Sequence, residues 1–138
     1  YIKMEEFTPG ASREVEAALG LLRQQGARRF ILDLRDNPGG LLDMAVEIVS
    51  AFVPESSLVV STKGRRPETE RRYVSLQQPL TPDLPLAVLV NGNSASASEI
   101  VSACLQDHQR AIARPAQFHR LGAVRTLEPC GDIEKFLS

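Results

Sequence analysis

The chain has 138 residues, of which 43% are hydrophobic and 24% are charged. These values are typical of one globular domain with a hydrophobic core. The formal net charge is −1, from 16 basic and 17 acidic side chains. This balance gives no field that would attract nucleic acid or an anionic membrane surface, so we expect neither partner. No apolar run is long enough for a membrane span, so we expect no membrane insertion.

Hydrophobic periodicity divides the chain into alternating strands and helices. The pattern predicts a strand over 1–7, a helix from Ser12 to Gly26, a strand over 30–34 and a helix over 41–52. Strands follow over 58–61, 73–76 and 86–90, and the last predicted helix covers 97–106. Ser12 is the expected N-cap of the first helix. Alternating elements predict a single α/β domain with a mainly parallel sheet flanked by helices.

Two strand-to-helix turns have a composition that could carry chemistry. Ligands of parallel sheets collect beyond the carboxyl ends of strands, where helix N-termini present free N–H groups. The turn at 32–40 ends in Gly39 and Gly40, which permit a close approach of the backbone, but it is also compatible with an ordinary turn. The turn at 91–99 contains three serines. One possibility is that one of these serines is a nucleophile at a helix N-terminus. The other is that Ser94 is the N-cap of the helix and that Glu99 supports its first turn.

The order of several short motifs resembles the carboxyl-terminal processing (tail-specific) serine peptidases. The matching strings are ILDLRDNPGGLLD at 31–43, TKGR at 62–65, PDLPL at 82–86, VLVNGNSASASEI at 88–100 and LQDH at 105–108. Several matches in the right order are far more specific than any one of them. The resemblance implies a fold like the ClpP/crotonase core. The match is poor after about residue 114, and the family's PDZ domain and later strands are absent, so we expect a truncated core over 1–138.

The resemblance also implies roles for individual residues. It makes Ser96, the middle serine of its string, the nucleophile that forms an acyl-enzyme. It places the two oxyanion-hole N–H groups on Gly40 and Ala97, and makes Asp107 a supporting structural residue. It further implies protein or peptide substrates, no cofactor and an extracytoplasmic location such as a periplasm or lumen. No His, Asp or Glu cluster has the spacing of a metal site, so no metal is expected.

The resemblance fails at the general base. In the family a lysine within a Phe-Gly-Lys-Gly segment takes the serine proton, whereas residues 118–124 here read FHRLGAV. Aligning on the glycine and valine places Leu121 at the lysine position, and a shift by one residue places Arg120 there. Leucine cannot accept a proton, and arginine does not lose one in proteins. His119 is the candidate substitute base, because its pKa range suits that role.

Three functions remain open at this point. The first is a serine endopeptidase core whose activity is impaired by the missing lysine. The second is a non-catalytic peptide-binding module, or decayed fragment, that holds an extended peptide beside a strand. The third is a crotonase-like acyl-CoA enzyme, which the serine string argues against. Missing strands would also leave a sheet edge exposed, which predicts self-association.

Overall fold

The computed structural model describes residues 1–62 and 67–115 of the chain. Its strands are β1 (Ile2–Lys3), β2 (Phe30–Asp33), β3 (Leu58–Thr62), β4 (Arg71–Val74), β5 (Leu86–Val90) and β6 (Ala111–Pro115). Its α-helices are α1 (Ala11–Gln24), α2 (Leu42–Ser50) and α3 (Ala97–Asp107), and a single 3-10 turn covers Pro67–Thr69. The predicted α/β class and the predicted helices are confirmed.

The main sheet has four strands in the order β1-β2-β5-β6, and each neighbouring pair is parallel. β3 and β4 form a separate antiparallel pair. Because parallel strands end at the same edge of a sheet, the segments that follow β2 and β5 emerge side by side. These are the two turns that the sequence singles out.

The core lies between this sheet and the helices. β2 and β5 are apolar along nearly their whole length, which is typical of parallel strands that are covered on both faces. Phe30, Leu32 and Val88 are almost fully buried. α2 packs against both α1 and α3, and its Ile48 and Val49 have no exposed surface. The sheet therefore gives a rigid base to the two turns.

The structure corrects three details of the sequence prediction. The strand predicted over 1–7 is limited to Ile2–Lys3, with an isolated bridge between Phe7 and Gly40. The N-cap of α1 is Gly10, two residues before the predicted Ser12, and Gly10 has a φ of +91°, which glycine adopts without a steric cost. β6 was not predicted, although it pairs with β5 over five residues. Its sequence, AIARP, has only three consecutive apolar residues and ends in an arginine and a proline, so no strand pattern stands out.

Within the described residues, no helix is both long enough and apolar enough to cross a bilayer.

Candidate active site

The two turns are joined by hydrogen bonds into one site at the carboxyl edge of the sheet. The backbone N–H of Ala95 donates to the carbonyl of Asn37 over 3.1 Å. The side chains of Asn91 and Asn93 both donate to one carboxylate oxygen of Asp36, over 2.9 and 2.7 Å. These bonds, from Asn93 first and Asn91 second, lower the pKa of Asp36. The charged form of Asp36 therefore stabilises the contact between the turns.

Ser96 occupies a strained position at the start of α3. Its φ of +53° and ψ of −115° fall where residues with a side chain are rarely found. The residue is exposed, while the neighbouring Ala97 is buried. A sharp, strained turn from strand to helix is one way of presenting a nucleophilic serine above a sheet.

The other two serines of the turn have structural partners. Ser94 is buried, and its hydroxyl donates to the carbonyl of Leu34 over 2.7 Å. Ser98 is also buried, and its hydroxyl donates to the carbonyl of Asn37 over 3.0 Å. The alternative in which Ser94 caps α3 is not what the structure shows, since the N-cap residue is Ser96. Of the three hydroxyls, that of Ser96 is the one on an exposed residue.

Glu99 holds the backbone of Ser96 in place. Its carboxylate accepts a hydrogen bond from the Ser96 N–H over 2.8 Å, as part of a capping box. The N–H of Ala97 follows at the first position of the helix, where no turn of helix precedes it to supply a carbonyl. Among the described residues, none accepts a hydrogen bond from that N–H.

The paired glycines of the first turn lie against Ser96 and Phe7. A Cβ added to Gly39 would come within 2.8 Å of the Ser96 Cβ and 2.9 Å of the Ala97 nitrogen. The carbonyl of Gly39 accepts the N–H of Phe7 over 2.8 Å. In a trans peptide the C=O and N–H point in opposite directions, so the N–H of Gly40 points away from Phe7. No described residue accepts that N–H, and Gly40 is exposed.

The family is identified by comparison of the sequence with known proteins. A model of Peptidase family S41 matches residues 1–117. The chain belongs to peptidase family S41. It is 38% identical over 136 residues to a carboxy-terminal-processing protease of Bartonella bacilliformis, covering 96% of this chain and 31% of that protein. It is 40% identical over 132 residues to a carboxyl-terminal-processing protease of Synechocystis, covering 96% of this chain and 30% of that protein.

Solved structures agree with this family membership. A photosystem II D1 C-terminal processing protease superposes with a TM-score of 0.71 and 28% identity, over 80% of this chain and 28% of the other. A putative S41 protease from Bacteroides fragilis superposes with a TM-score of 0.66 over 79% of this chain and 32% of the other, and at 21% identity it supports the fold alone. This S41 chain thus spans about a third of the length of the relatives it matches.

The remaining predicted residues of this S41 chain are not near Ser96 or lie outside the described part. Asp107 is the last residue of α3 and is exposed. At about 1.5 Å per helical residue it is roughly 15 Å from Ala97, so any support it gives to the nucleophile is indirect. His119 and Leu121 lie outside the described residues. No group of three His, Cys, Asp or Glu side chains within the described residues is arranged to hold a metal ion.

A buried charge cluster beneath the first turn was missed by the sequence analysis. Asp33, at the end of β2, has no exposed side-chain surface and receives two hydrogen bonds from the Arg35 guanidinium, over 2.9 and 2.6 Å, and one from the Arg35 backbone N–H, over 3.0 Å. Tyr1 donates its hydroxyl to the same carboxylate, and Lys3 lies 3.8 Å from it. Burial opposes ionisation of Asp33, but the hydrogen bonds from Arg35 and Tyr1 outweigh it, so the pKa of Asp33 lies well below its usual range.

This cluster also involves the one lysine in the described part of the chain. Lys3 donates to the carbonyl of Arg35 over 2.8 Å as well as lying beside Asp33. Both contacts hold the Lys3 side chain within this cluster. The only sequence signal for the cluster was the alternation of Asp33 and Arg35 at the end of an apolar strand, which is equally typical of a solvated strand end.

Proposed function

We propose that the chain is the nucleophile-bearing core of a serine endopeptidase of the carboxyl-terminal processing class, with Ser96 forming the acyl-enzyme. Membership of family S41 supports the peptidase class. The names of the relatives support processing near the carboxyl terminus of protein substrates. Because the chain covers only part of those relatives, the activity of the longer protein is included in this proposal.

One observation carries the assignment of Ser96. It is the exposed serine of the turn, it has a strained backbone, and it directly precedes the N–H of a helix N-terminus. Strain of this kind costs about 1–3 kcal/mol and persists only where the surrounding structure enforces it. Functional sites are where such strain concentrates. Ser94 and Ser98 could act only by giving up buried hydrogen bonds.

The proposed reaction uses two N–H groups that no described residue accepts, those of Ala97 and Gly40. The Ser96 Oγ attacks the scissile carbonyl carbon and loses its proton to a base. The carbonyl oxygen becomes an oxyanion between the N–H groups of Gly40 and Ala97, and loss of a single donor of this type costs about 3 kcal/mol of transition-state stabilisation. Collapse of the tetrahedral intermediate expels the protonated amine and leaves an ester on Ser96, which water then hydrolyses.

In our proposal this chain does not have the lysine that serves as the general base in the family. By the family's pattern Leu121 stands where the lysine should be, so activity should be impaired, and His119 is the substitute base we propose to test. The same oxyanion-hole geometry without a base would leave a peptide-binding module, which is the alternative function. An extracytoplasmic location and self-association through an exposed sheet edge also remain proposals.

Labelling with a fluorophosphonate tests the nucleophile. The serine oxygen forms a bond to phosphorus and fluoride leaves, so the adduct can be located by peptide mass spectrometry. We expect label on Ser96 and none in Ser96→Ala. Ser94→Ala is the matched control and should still be labelled, because its hydroxyl is used structurally. Label on Ser94 or Ser98 in the unmodified chain would contradict the assignment.

A pair of lysine substitutions tests the missing base. If Leu121 occupies the lysine position, Leu121→Lys should raise the labelling rate of Ser96 and the hydrolysis of an unstructured peptide, and Arg120→Lys should not. General-base catalysis typically contributes 10²–10⁴-fold, so an increase of roughly that size is expected. A larger gain in Arg120→Lys would mean that Arg120, and not Leu121, occupies the lysine position. Loss of labelling in His119→Ala would identify His119 as the base in the unmodified chain.

A further inference from the structure

Asn37 is a buried polar residue that contacts three separate parts of the molecule. Its side chain has no exposed surface. The amide Nδ2 donates to the carbonyl of Met4 over 3.0 Å, on the segment that follows β1. The amide Oδ1 accepts the N–H of Gly39 over 2.8 Å. A buried amide with both ends paired is fixed in one orientation, because turning it over would lose both bonds.

The side chain of Asn37 and the main chain of Phe7 together hold the paired glycines. Two glycines in sequence can rotate the peptide between them with little steric resistance. Here that peptide is held through the Gly39 carbonyl, which accepts the N–H of Phe7. The Gly39 N–H belongs to the preceding peptide, and it is held by Asn37. As a result the Gly39 N–H is directed into the protein, and the Gly40 N–H is the one left for an external acceptor.

The main chain of Asn37 also fixes the distance between the two turns. Its carbonyl accepts the N–H of Ala95 over 3.1 Å and the hydroxyl of Ser98 over 3.0 Å. Ala95 and Ser98 lie on either side of the strained residue Ser96 in the sequence. One residue therefore holds both the glycine turn, through its side chain, and the serine turn, through its carbonyl.

We infer that Asn37 is the positioning residue that occupies the Gly39 N–H, and so leaves the Gly40 N–H, on the peptide held by Phe7, as the oxyanion donor opposite Ser96. This inference rests on the proposed function and deepens it. Asn37 itself does not contact the substrate. Its effect is transmitted through the two glycines, where an error of about 1 Å in the position of a donor costs on the order of 10²-fold in rate.

Amide hydrogen exchange tests the first half of the inference without any need for activity. In the ¹⁵N-labelled unmodified chain the Gly39 N–H should exchange roughly 5-fold more slowly than the Gly40 N–H, as expected for one net hydrogen bond of about 1 kcal/mol. Asn37→Ala should remove that difference. Asn37→Asp keeps an acceptor for the Gly39 N–H and should retain the difference in exchange rate. Equal exchange of the two glycines in the unmodified chain, which needs no variant to fold, would overturn the inference.

The labelling rate of Ser96 tests the second half. In the Leu121→Lys background, Asn37→Ala should slow labelling of Ser96 by roughly 10²-fold, the effect of losing one oxyanion donor. Ser98→Ala is the matched control: it loses a buried hydrogen bond to Asn37 but leaves the Gly39 N–H bound, so it should change the labelling rate by less than tenfold.

The outcomes separate this inference from the proposed function. If Ser96 is labelled but Asn37→Ala and Ser98→Ala slow the labelling equally, Asn37 is only structural and the inference is wrong while the proposed function stands. If Ser96 is not labelled even in the Leu121→Lys chain, the proposed function is wrong and the role of Asn37 in an oxyanion hole is excluded with it.

Discussion

Adding a methyl group to Gly39 should disrupt the contact between the two turns. In Gly39→Ala the new Cβ would lie 2.7 Å from the Ala95 carbonyl oxygen, 2.8 Å from the Ser96 Cβ and 2.9 Å from the Ala97 nitrogen. Two of these are backbone atoms, so a side-chain rotation cannot relieve the clash. Overpacking of this kind costs about 1–3 kcal/mol. The φ of +104° adds about 1–2 kcal/mol for any L-residue with a side chain.

Gly26 provides a control that separates strain from clash. It has a similar φ of +89°, but a Cβ there would meet nothing within 4 Å. Gly26→Ala should therefore cost only the strain of about 1–2 kcal/mol, and Gly39→Ala about 2 kcal/mol more. Urea denaturation gives both unfolding free energies, and labelling of Ser96 shows whether the turns have separated. A Gly39→Ala chain no less stable than Gly26→Ala would refute the close packing of Gly39 against Ser96.

Three further predictions concern Asp33, Ser96 and Cys104. The pKa of Asp33 is depressed by folding, so its contribution is fully present above the unfolded pKa of about 4, begins to fall below that pH, and is lost only as the pH passes the folded pKa. Asp33→Asn should therefore cost about 2 kcal/mol at pH 7 and less at pH 3, and a gap independent of pH would contradict this. Ser96→Gly should be about 1 kcal/mol more stable than Ser96→Ala in urea denaturation, because glycine tolerates the φ of +53°, whereas equal stability would argue against strain. Burial raises the pKa of the Cys104 thiol to about 11. In a Cys130→Ser chain the reaction of Cys104 with a disulfide reagent at pH 8 should therefore be slow until urea unfolds the chain. Equal reaction rates in the folded and unfolded chain would show that the thiol is accessible.

The sequence predicted the elements with strong apolar patterns. β5 has the predicted bounds of 86–90, and α3 extends the predicted helix by one residue. Shorter elements were less predictable: β1 is two residues long and β6 has only three consecutive apolar residues. Their position in the sheet depends on neighbouring strands, which local sequence does not describe.

The position of the site could be predicted from the sequence, but the roles of its residues depend on hydrogen bonds to residues far away in the chain. The residue pattern alone did not distinguish the three serines. The hydroxyls of Ser94 and Ser98 are occupied by carbonyls 60 and 61 residues away in the chain. Asn37 and Asp33 were not singled out for the same reason, because a buried polar side chain is recognised only by its partners. Those of Asn37 and Asp33 include Met4 and Tyr1, on the segment around β1.

The structure of a phosphonate adduct tests the central claim most directly. With Ser96 labelled in the Leu121→Lys chain, the phosphoryl oxygen takes the place of the tetrahedral oxyanion. We predict that this oxygen lies within about 2.7–3.1 Å of the nitrogens of both Gly40 and Ala97. An adduct on another residue, or an oxygen bound to neither nitrogen, would contradict the assignment of Ser96 and its oxyanion hole.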